Sequence, residues 1–471
     1  MPPPNITGKL HLGHALFLTL QDTLTRYHRQ CGEDTLWLPG TDHAGLATDA
    51  KIQDYFSSIN KTPTKEEYLE KAWSWKDDFH LQITNQIKAM GASCDWSREK
   101  FTLDENYLKS STFALNLCKE AGILYQKENQ WYLDMSDLAK ELLLALNEGE
   151  IKIEPESGAN TLKHFLNNIE PWCISRQILW GQQIPIFYAK NDSNQYWLAH
   201  TIDEATLISG LTCDELIQDS DTLDTWFLSS LWPFATLGWP NNTDDYHKYY
   251  PANIIETADD IIFFWCARML MMGKLCTQQW AFKKIYLHGI IRDANGIKMA
   301  KGLGNGIDPL EIIEEYGCDS LRWTLASKCN AGHDSKIAMD DIKSSSQFMN
   351  KLWQSGRFIL GHCSKMNLSE KDLEDISWKP LDDFEKNYHI YLQNEQFLQA
   401  STELQFLFKH EFCDKWIEQN KSFLYDNNIQ IAKEGLTIFK RLLLLFHPFI
   451  PFITEKLYQE FSDQLLIGQK F

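Results

Sequence analysis

Closely spaced cysteines are missing from this chain. Its eleven cysteines, an odd number, are scattered without a single C-x-x-C pair, which excludes a zinc ribbon and argues against a disulfide framework. Most are expected to be small buried apolar side chains. Long apolar runs are missing too, since "RLLLLFHPFIPFI" is interrupted by His447, Pro448 and Pro451, short of the ~18 residues that cross a bilayer. No membrane partner is expected. The opening "MPPPNITG" lacks a basic segment followed by an apolar one, so a cytoplasmic location is expected. Positive charge is scarce, with 45 Lys and Arg against 64 Asp and Glu and a net charge of −19. That balance disfavours nonspecific nucleic-acid binding through a basic surface, while a local patch remains compatible with it. No repeat of fixed period and no low-complexity linker is found.

What remains is a 471-residue chain with 44% apolar residues, enough for two or three domains with ordinary cores. From Leu10 to Gln30 the apolar spacing is that of a helix, beginning just after "NITGKLHLGH" and stopping before Cys31 and Gly32. "DTLWLPGTDH" reads as a buried strand entering a polar loop. "KKIYLHGIIRD" repeats that grammar, ahead of a glycine-rich loop and the helix "DPLEIIEEYG". Strand, glycine turn and helix in succession predict a parallel α/β sheet. From about Lys343 onward every segment has helical spacing, which predicts an antiparallel helical bundle.

Two short motifs carry chemistry. In "GKLHLGH", His11 and His14 are three apart and share one face of the first helical turn, with Gly13 between them. A nucleotide could lie against the backbone at Gly13 with its phosphates near both imidazoles and the helix N-terminus. Standing alone, the pair reads more readily as two surface histidines. In "KMAKG", Lys298 and Lys301 flank Met299 among Gly296, Gly302, Gly304 and Gly306. Such ammonium groups could neutralise a triphosphate during phosphoryl or nucleotidyl transfer, although an ordinary basic loop has the same look. The two motifs lie in separate strand-turn-helix units, as halves of one nucleotide site would. Trp226, Ile261 and Trp265 would usually be core, and Asp42 in "PGTDHAG" would usually be a turn or cap residue that could also hold an ammonium group.

Together, "PPPNITGKLHLGH" and "KMAKG" resemble the HIGH and KMSKS signatures of class I aminoacyl-tRNA synthetases. "LPGTDHAGLAT", "NIEPWCISRQ", "DTWFLSSLWPFATLGWP", "DIIFFWCARMLMM", "GIIRDANGIKMAKGLGNGIDP" and "HPFIPFITEKLYQEF" are similar, in order, to the valyl members. The resemblance implies a Rossmann-type parallel-sheet catalytic domain and a helical anticodon-binding domain. It divides the chain into 1–126, the first catalytic half; 127–250, a connective region; 251–342, the second catalytic half; and 343–471, the helical domain. It also implies ATP with Mg2+ as cofactors, valine and tRNA(Val) as substrates, a monomer, and no structural metal. His11 and His14 would stabilise the pyrophosphate and α-phosphate, Gly13 would lie against ATP, and Lys298 and Lys301 would close over the leaving pyrophosphate. Pro2, Pro3, Asn5, Trp226, Ile261 and Trp265 would line the valine pocket, with Asp42 facing the amino group.

The chain departs from the pattern in several places. Ala300 and Gly302 replace the two serines of the lysine loop, an expected slowing of adenylation. Gln182, Leu179 and Ala258 stand where the family has histidine, tryptophan and glycine. The editing domain expected between "GILYQ" and "NQWYLDMSDLAK" is replaced by a bridge of a few residues, Lys127 to Asn129. No C-terminal coiled-coil arm is expected, and a start upstream of "MPPPN" is expected to supply the strand that relatives carry before the prolines. The reduced parts leave two other readings: an adenylating enzyme with a carrier-protein or metabolite acceptor, and a catalytically weak regulatory paralogue.

Overall fold

The computed structural model describes residues 1–293, 295–299 and 307–471. Two compact units are formed by interleaved segments: the first from 1–9, 38–83 and 96–287, the second from 10–37, 84–95 and 288–471. Among the described residues no helix is long and apolar enough to cross a membrane.

In the first unit the expected strand "DTLWLPGTDH" is recovered only at Gly40–Thr41, which pairs in parallel with Lys100–Phe101. Pro39 stops the ladder on the upstream side because it has no N–H to give, and its carbonyl accepts from Lys100 at 3.1 Å. Gly40 is obligatory here. A Cβ on it would lie 2.2 Å from the Lys100 carbonyl oxygen. A second sheet has the order Ala252–Ala258, Phe282–His288, Lys152–Glu154, the last two in parallel register with Ile285 opposite Ile153. The central strand is buried from Ile285 to His288, while Lys152 and Glu154 flank the buried Ile153 on the outer strand. Antiparallel sheets fill the middle of the chain, including the hairpin Leu124–Lys127 with Gln130–Leu133, which continues to Trp172–Cys173.

The second unit is mainly helical. Leu12–Gln30 forms the first helix, matching the apolar spacing. The strand Ile291–Arg292 pairs in parallel with Ser335–Lys336, and the glycine before it allows the chain to pass His333, whose carbonyl oxygen would be 2.1 Å from a Cβ at Gly289. Pro309–Tyr316 follows, with Asp308 accepting from the Leu310 N–H and proline in the first turn. The tail then runs through helices Met339–Lys365, Lys379–Gln393, Phe397–Phe406, Glu418–Tyr425 and Ile429–Phe446. Asn428 caps the last of these by accepting from Gln430 and Ile431, and Pro448 lies between it and the helix Pro451–Tyr458, which opens on a proline.

This bundle is tied to the first helix by a buried ionic cluster. The Asp22 carboxylate meets Arg26 and Arg322, each at 2.7 Å, and accepts from the Ser93 N–H at 2.8 Å and the Ser93 hydroxyl at 2.6 Å. Burial alone would raise the Asp22 carboxyl, but Arg26 and Arg322 bring it down to about 2. Arg322 also donates to the carbonyls of Phe449, Met90 and Pro448. Four of the five donor directions of its guanidinium fork therefore meet protein.

Candidate active site

The first unit gathers the expected amino-acid pocket around Asp42. The Asn5 segment lies beside it in a parallel bridge, with the Asp42 N–H donating to Pro4 and Ile6 donating to Asp42. Pro2 and Pro3 precede that bridge and are half-buried. The Asp42 carboxylate accepts from the Ala44 N–H at 2.7 Å and from the Ser229 hydroxyl. It is thus held before any ligand arrives, and it keeps acceptor capacity because a carboxylate can take about four hydrogen bonds. Neighbouring His43 is buried, burial lowers its pKa, and its Nδ1 pairs with Thr102 at 2.8 Å.

Ser229 sits on the short helix Thr225–Ser230, which also carries Trp226. Its carbonyl accepts from the Trp265 indole N–H at 3.2 Å. Trp265 belongs to a π-helical turn, Ile262–Ala267, preceded by Ile261; such wide turns often mark functional sites. Trp226 and Phe264 pack with ring centroids 6.2 Å apart. The backbone of Pro4 and Ile6, Asp42, Ser229 and Trp265 therefore form one hydrogen-bonded chain, with the exposed Asn5 between the first two, Trp226 on the Ser229 helix and Ile261 just before the Trp265 turn. Ser229 was not singled out from sequence. Its signal was its place three residues after the aromatic of "DTWF", one helical turn along. Gln182, a departure from the family pattern, is consumed by packing: it accepts from the Ser111 hydroxyl and its amide donates to Leu108 at 3.3 Å. Leu179 is exposed.

The second unit holds the histidine pair. His11 caps the helix Leu12–Gln30: its Nδ1 accepts from the Gly13 N–H at 3.0 Å, and His14 Nδ1 accepts from the His11 N–H at 3.3 Å. The rings lie 4.0 Å apart between centroids. Because both Nδ1 atoms accept, both rings carry their proton on Nε2. Gly13 is needed for this arrangement, since a Cβ there would lie 2.8 Å from His11 Cε1. The pair is thus a reciprocal cap that presents two imidazole N–H donors at a helix N-terminus, a setting that favours anions.

Lys298 is exposed on the outgoing arm of a tight turn, bridged to Arg292. Asp293 builds that turn by accepting from the Asn295 and Ile297 N–H groups, each at 2.9 Å, and Arg292 is anchored to Asp334 at 2.6 Å. Lys301, with Ala300 and Gly302, lies outside the described residues.

At the expected bridge, Glu128 and Asn129 form a two-residue hairpin turn between Lys127 and its partner Gln130. Both have positive φ, 52° and 62°, the backbone that two-residue type I′ hairpins require. The strands simply turn back on each other where an inserted domain was expected.

A Rossmann-type parallel-sheet catalytic domain with a histidine-capped helix and a lysine-bearing turn, continuing into a helical domain, has the fold of the class I tRNA synthetases. The family model for tRNA synthetases class I (I, L, M and V) matches residues 1–129 and 119–338, and that for the anticodon-binding domain of tRNA ligase matches 378–470. The two matches to the synthetase model overlap over 119–129, the stretch that contains the first hairpin strand and its turn. Among solved structures, the chain resembles LeuRS of Agrobacterium radiobacter K84, determined as a ternary complex with tRNA and LeuAMS, at a TM-score of 0.80 and 14% identity over 99% of this chain and 85% of that one. It also resembles Mycobacterium tuberculosis methionyl-tRNA synthetase bound by methionyl-adenylate, at a TM-score of 0.76 and 15% identity over 97% and 92%. Among curated proteins, it is 30% identical to the chloroplastic/mitochondrial valine–tRNA ligase 2 of Arabidopsis thaliana, covering 98% of this chain and 70% of the relative. To the valine–tRNA ligase of Borreliella burgdorferi it is 31% identical, covering 98% and 75%.

The chain belongs to the valine–tRNA ligase family of class I synthetases. The two curated alignments run over 678 and 671 positions, although this chain has 471 residues. The relatives therefore carry internal segments with no counterpart here.

Proposed function

We propose that this chain activates valine with ATP and transfers it to tRNA(Val) without an editing site of its own. The observation that carries this reading is the buried Asp42 carboxylate, held by Ser229, whose carbonyl accepts from Trp265; Asn5 sits opposite Asp42 in the bridge, and Pro2, Pro3, Trp226, Ile261 and Trp265 would supply apolar walls. A branched aliphatic side chain suits those walls, and Asp42 suits the α-amino group. The valine carboxylate attacks the α-phosphate and pyrophosphate leaves. His11 and His14 donate Nε2–H to the phosphates, Gly13 lets His11 hold that pose, and Lys298 and Lys301 offset charge on the departing pyrophosphate. Among the described residues no group of three His, Cys, Asp or Glu side chains could hold a metal ion. Mg2+ would thus come with the ATP phosphates and keep its water ligands. The match of 378–470 to an anticodon-binding domain supports tRNA as acceptor over a carrier protein or metabolite.

The reading is tested by exchange of labelled pyrophosphate into ATP. Exchange that depends on valine supports it, and exchange driven equally by unrelated amino acids, or absent, removes it.

A further inference from the structure

The pocket walls are held by a second buried carboxylate to which neither the sequence nor the comparisons assign a role. Asp224 immediately precedes the Thr225–Ser230 helix and is nearly inaccessible, with 4% of its side chain exposed. Three donors from two other segments converge on it. The Trp172 indole N–H lies 2.8 Å away, Arg176 3.0 Å and Arg268 3.6 Å. Its own N–H donates to Ile174 at 2.8 Å, so backbone and side chain are both fixed.

Arg268 starts the helix that continues the Trp265 turn. Its guanidinium lies 4.0 Å from the Trp172 ring centroid and 5.6 Å from that of Phe264, and Phe264 packs on Trp226. The two walls of the pocket are therefore joined twice. One join is Trp265 to the Ser229 carbonyl, inside the pocket; the other is Arg268 to Asp224, behind it. Arg268 is 12% and Asp224 4% exposed, so water screens the pair little, and burial pushes Arg268 down to about 10 against the pull of Asp224.

We propose that Asp224, through Arg268 and Trp172, is a positioning residue that sets the gap between Trp226 and Trp265 and so the selectivity of the pocket for valine. The inference rests on the valine reading above. A pocket that distinguishes valine from threonine or isoleucine works on differences of one methyl or hydroxyl group. A small movement of one wall relative to the other changes that selectivity without touching the phosphates.

The test compares Asp224→Asn, Arg268→Met, Arg268→Lys and Trp172→Phe with the wild-type chain in pyrophosphate exchange, using valine, threonine and isoleucine, with thermal unfolding followed in parallel. For Arg268→Met the expected result is a KM for valine raised about tenfold, because removing the cation leaves the buried Asp224 charge less well paired. The KM for ATP stays within about twofold, and the kcat/KM ratio of valine to threonine falls several-fold. Arg268→Lys recovers part of the loss. Trp172→Phe removes a single donor and gives a smaller shift in the same ratio, which keeps the test decisive if Asp224→Asn does not fold. Variants that fold and leave the ratio at its wild-type value, or that move valine and ATP parameters together, overturn the proposal. A wild-type chain without valine-dependent exchange overturns the parent reading instead, and this inference with it.

Discussion

Each unit contains a buried aspartate flanked by two arginines, and the two clusters are built to different ends. In the second unit, Asp22 is fully buried and its partners Arg26 and Arg322 are 7% and 1% exposed. Their remaining donors end on the carbonyls of Gly91, Met90, Pro448 and Phe449 and on the ring of His447. In the first unit, Asp224 is also buried, but Arg176 and Arg268 are 25% and 12% exposed and line a cavity of about 350 Å³, with Arg268 lying over the Trp172 ring. One cluster locks a scaffold. The other, on the proposal above, braces a wall of the amino-acid pocket. The same chemical triad would thus serve stability where its arginines end on buried backbone, and positioning where its outer side opens on a cavity.

The largest effect expected from breaking this comparison is on stability. Asp22→Asn strands two buried guanidinium groups and should cost about 3–5 kcal/mol of unfolding free energy in denaturant titrations, whereas a comparable change at Asp224 should cost less and alter amino-acid selectivity. Asp22 also leaves a pH signature. The folded pKa of Asp22, about 2, lies below its unfolded value. Its contribution is therefore complete above pH ~4 and is lost as pH falls toward 2, and Asp22→Asn should flatten that acid limb.

Next in size is Asp42→Ala, which removes the expected partner of the amino group together with the Ser229 contact. A loss of about 10²-fold in valine-dependent kcat/KM is expected in exchange assays, with the ATP KM little changed. Lys298→Ala should lower kcat by about tenfold or more while sparing the valine KM, because it acts on charge that grows toward the transition state. Restoring serine at Ala300 and Gly302 should raise the adenylation rate several-fold, and an unchanged rate would detach those positions from the chemistry. The smallest effect belongs to the hairpin: Glu128→Gly, which relieves a left-handed residue, should stabilise the protein by less than about 1 kcal/mol and leave exchange untouched.

How much of this was legible in the sequence follows from how local each signal is. The helix Leu12–Gln30 and the helical tail were readable because 3.6-residue periodicity is written along the chain. "DTLWLPGTDH" promised a longer strand than Gly40–Thr41, since an apolar run says nothing about which backbone groups find partners and Pro39 withdraws one. The shortened bridge was visible, but its form was not: the left-handed pair Glu128 and Asn129 lacks the glycine that usually announces such a turn.

At the site, His11, His14, Asp42 and Trp265 were reached through motif resemblance. Ser229, Asp224, Arg176 and Arg268 were not, because their roles depend on contacts between segments far apart in sequence. That His11 and His14 cap their own helix was equally hidden. Spacing put them on one face, while only geometry fixes which ring nitrogen accepts.

The hairpin gives the account its sharpest consequence. A hydrophobic pocket rejects threonine, the hydroxyl isostere of valine, by only ~10², a figure known from valyl-tRNA synthetases themselves, and this chain has a two-residue turn where a second, hydrolytic sieve was expected. The most direct test is to charge unfractionated tRNA with ATP, Mg2+ and either valine or threonine, and then follow the fate of the threonyl ester. The account predicts that valyl-tRNA forms readily, that threonyl-tRNA forms more slowly, and that the latter decays no faster with the protein than without it. Failure to charge valine, or accelerated hydrolysis of threonyl-tRNA by the protein, would contradict it.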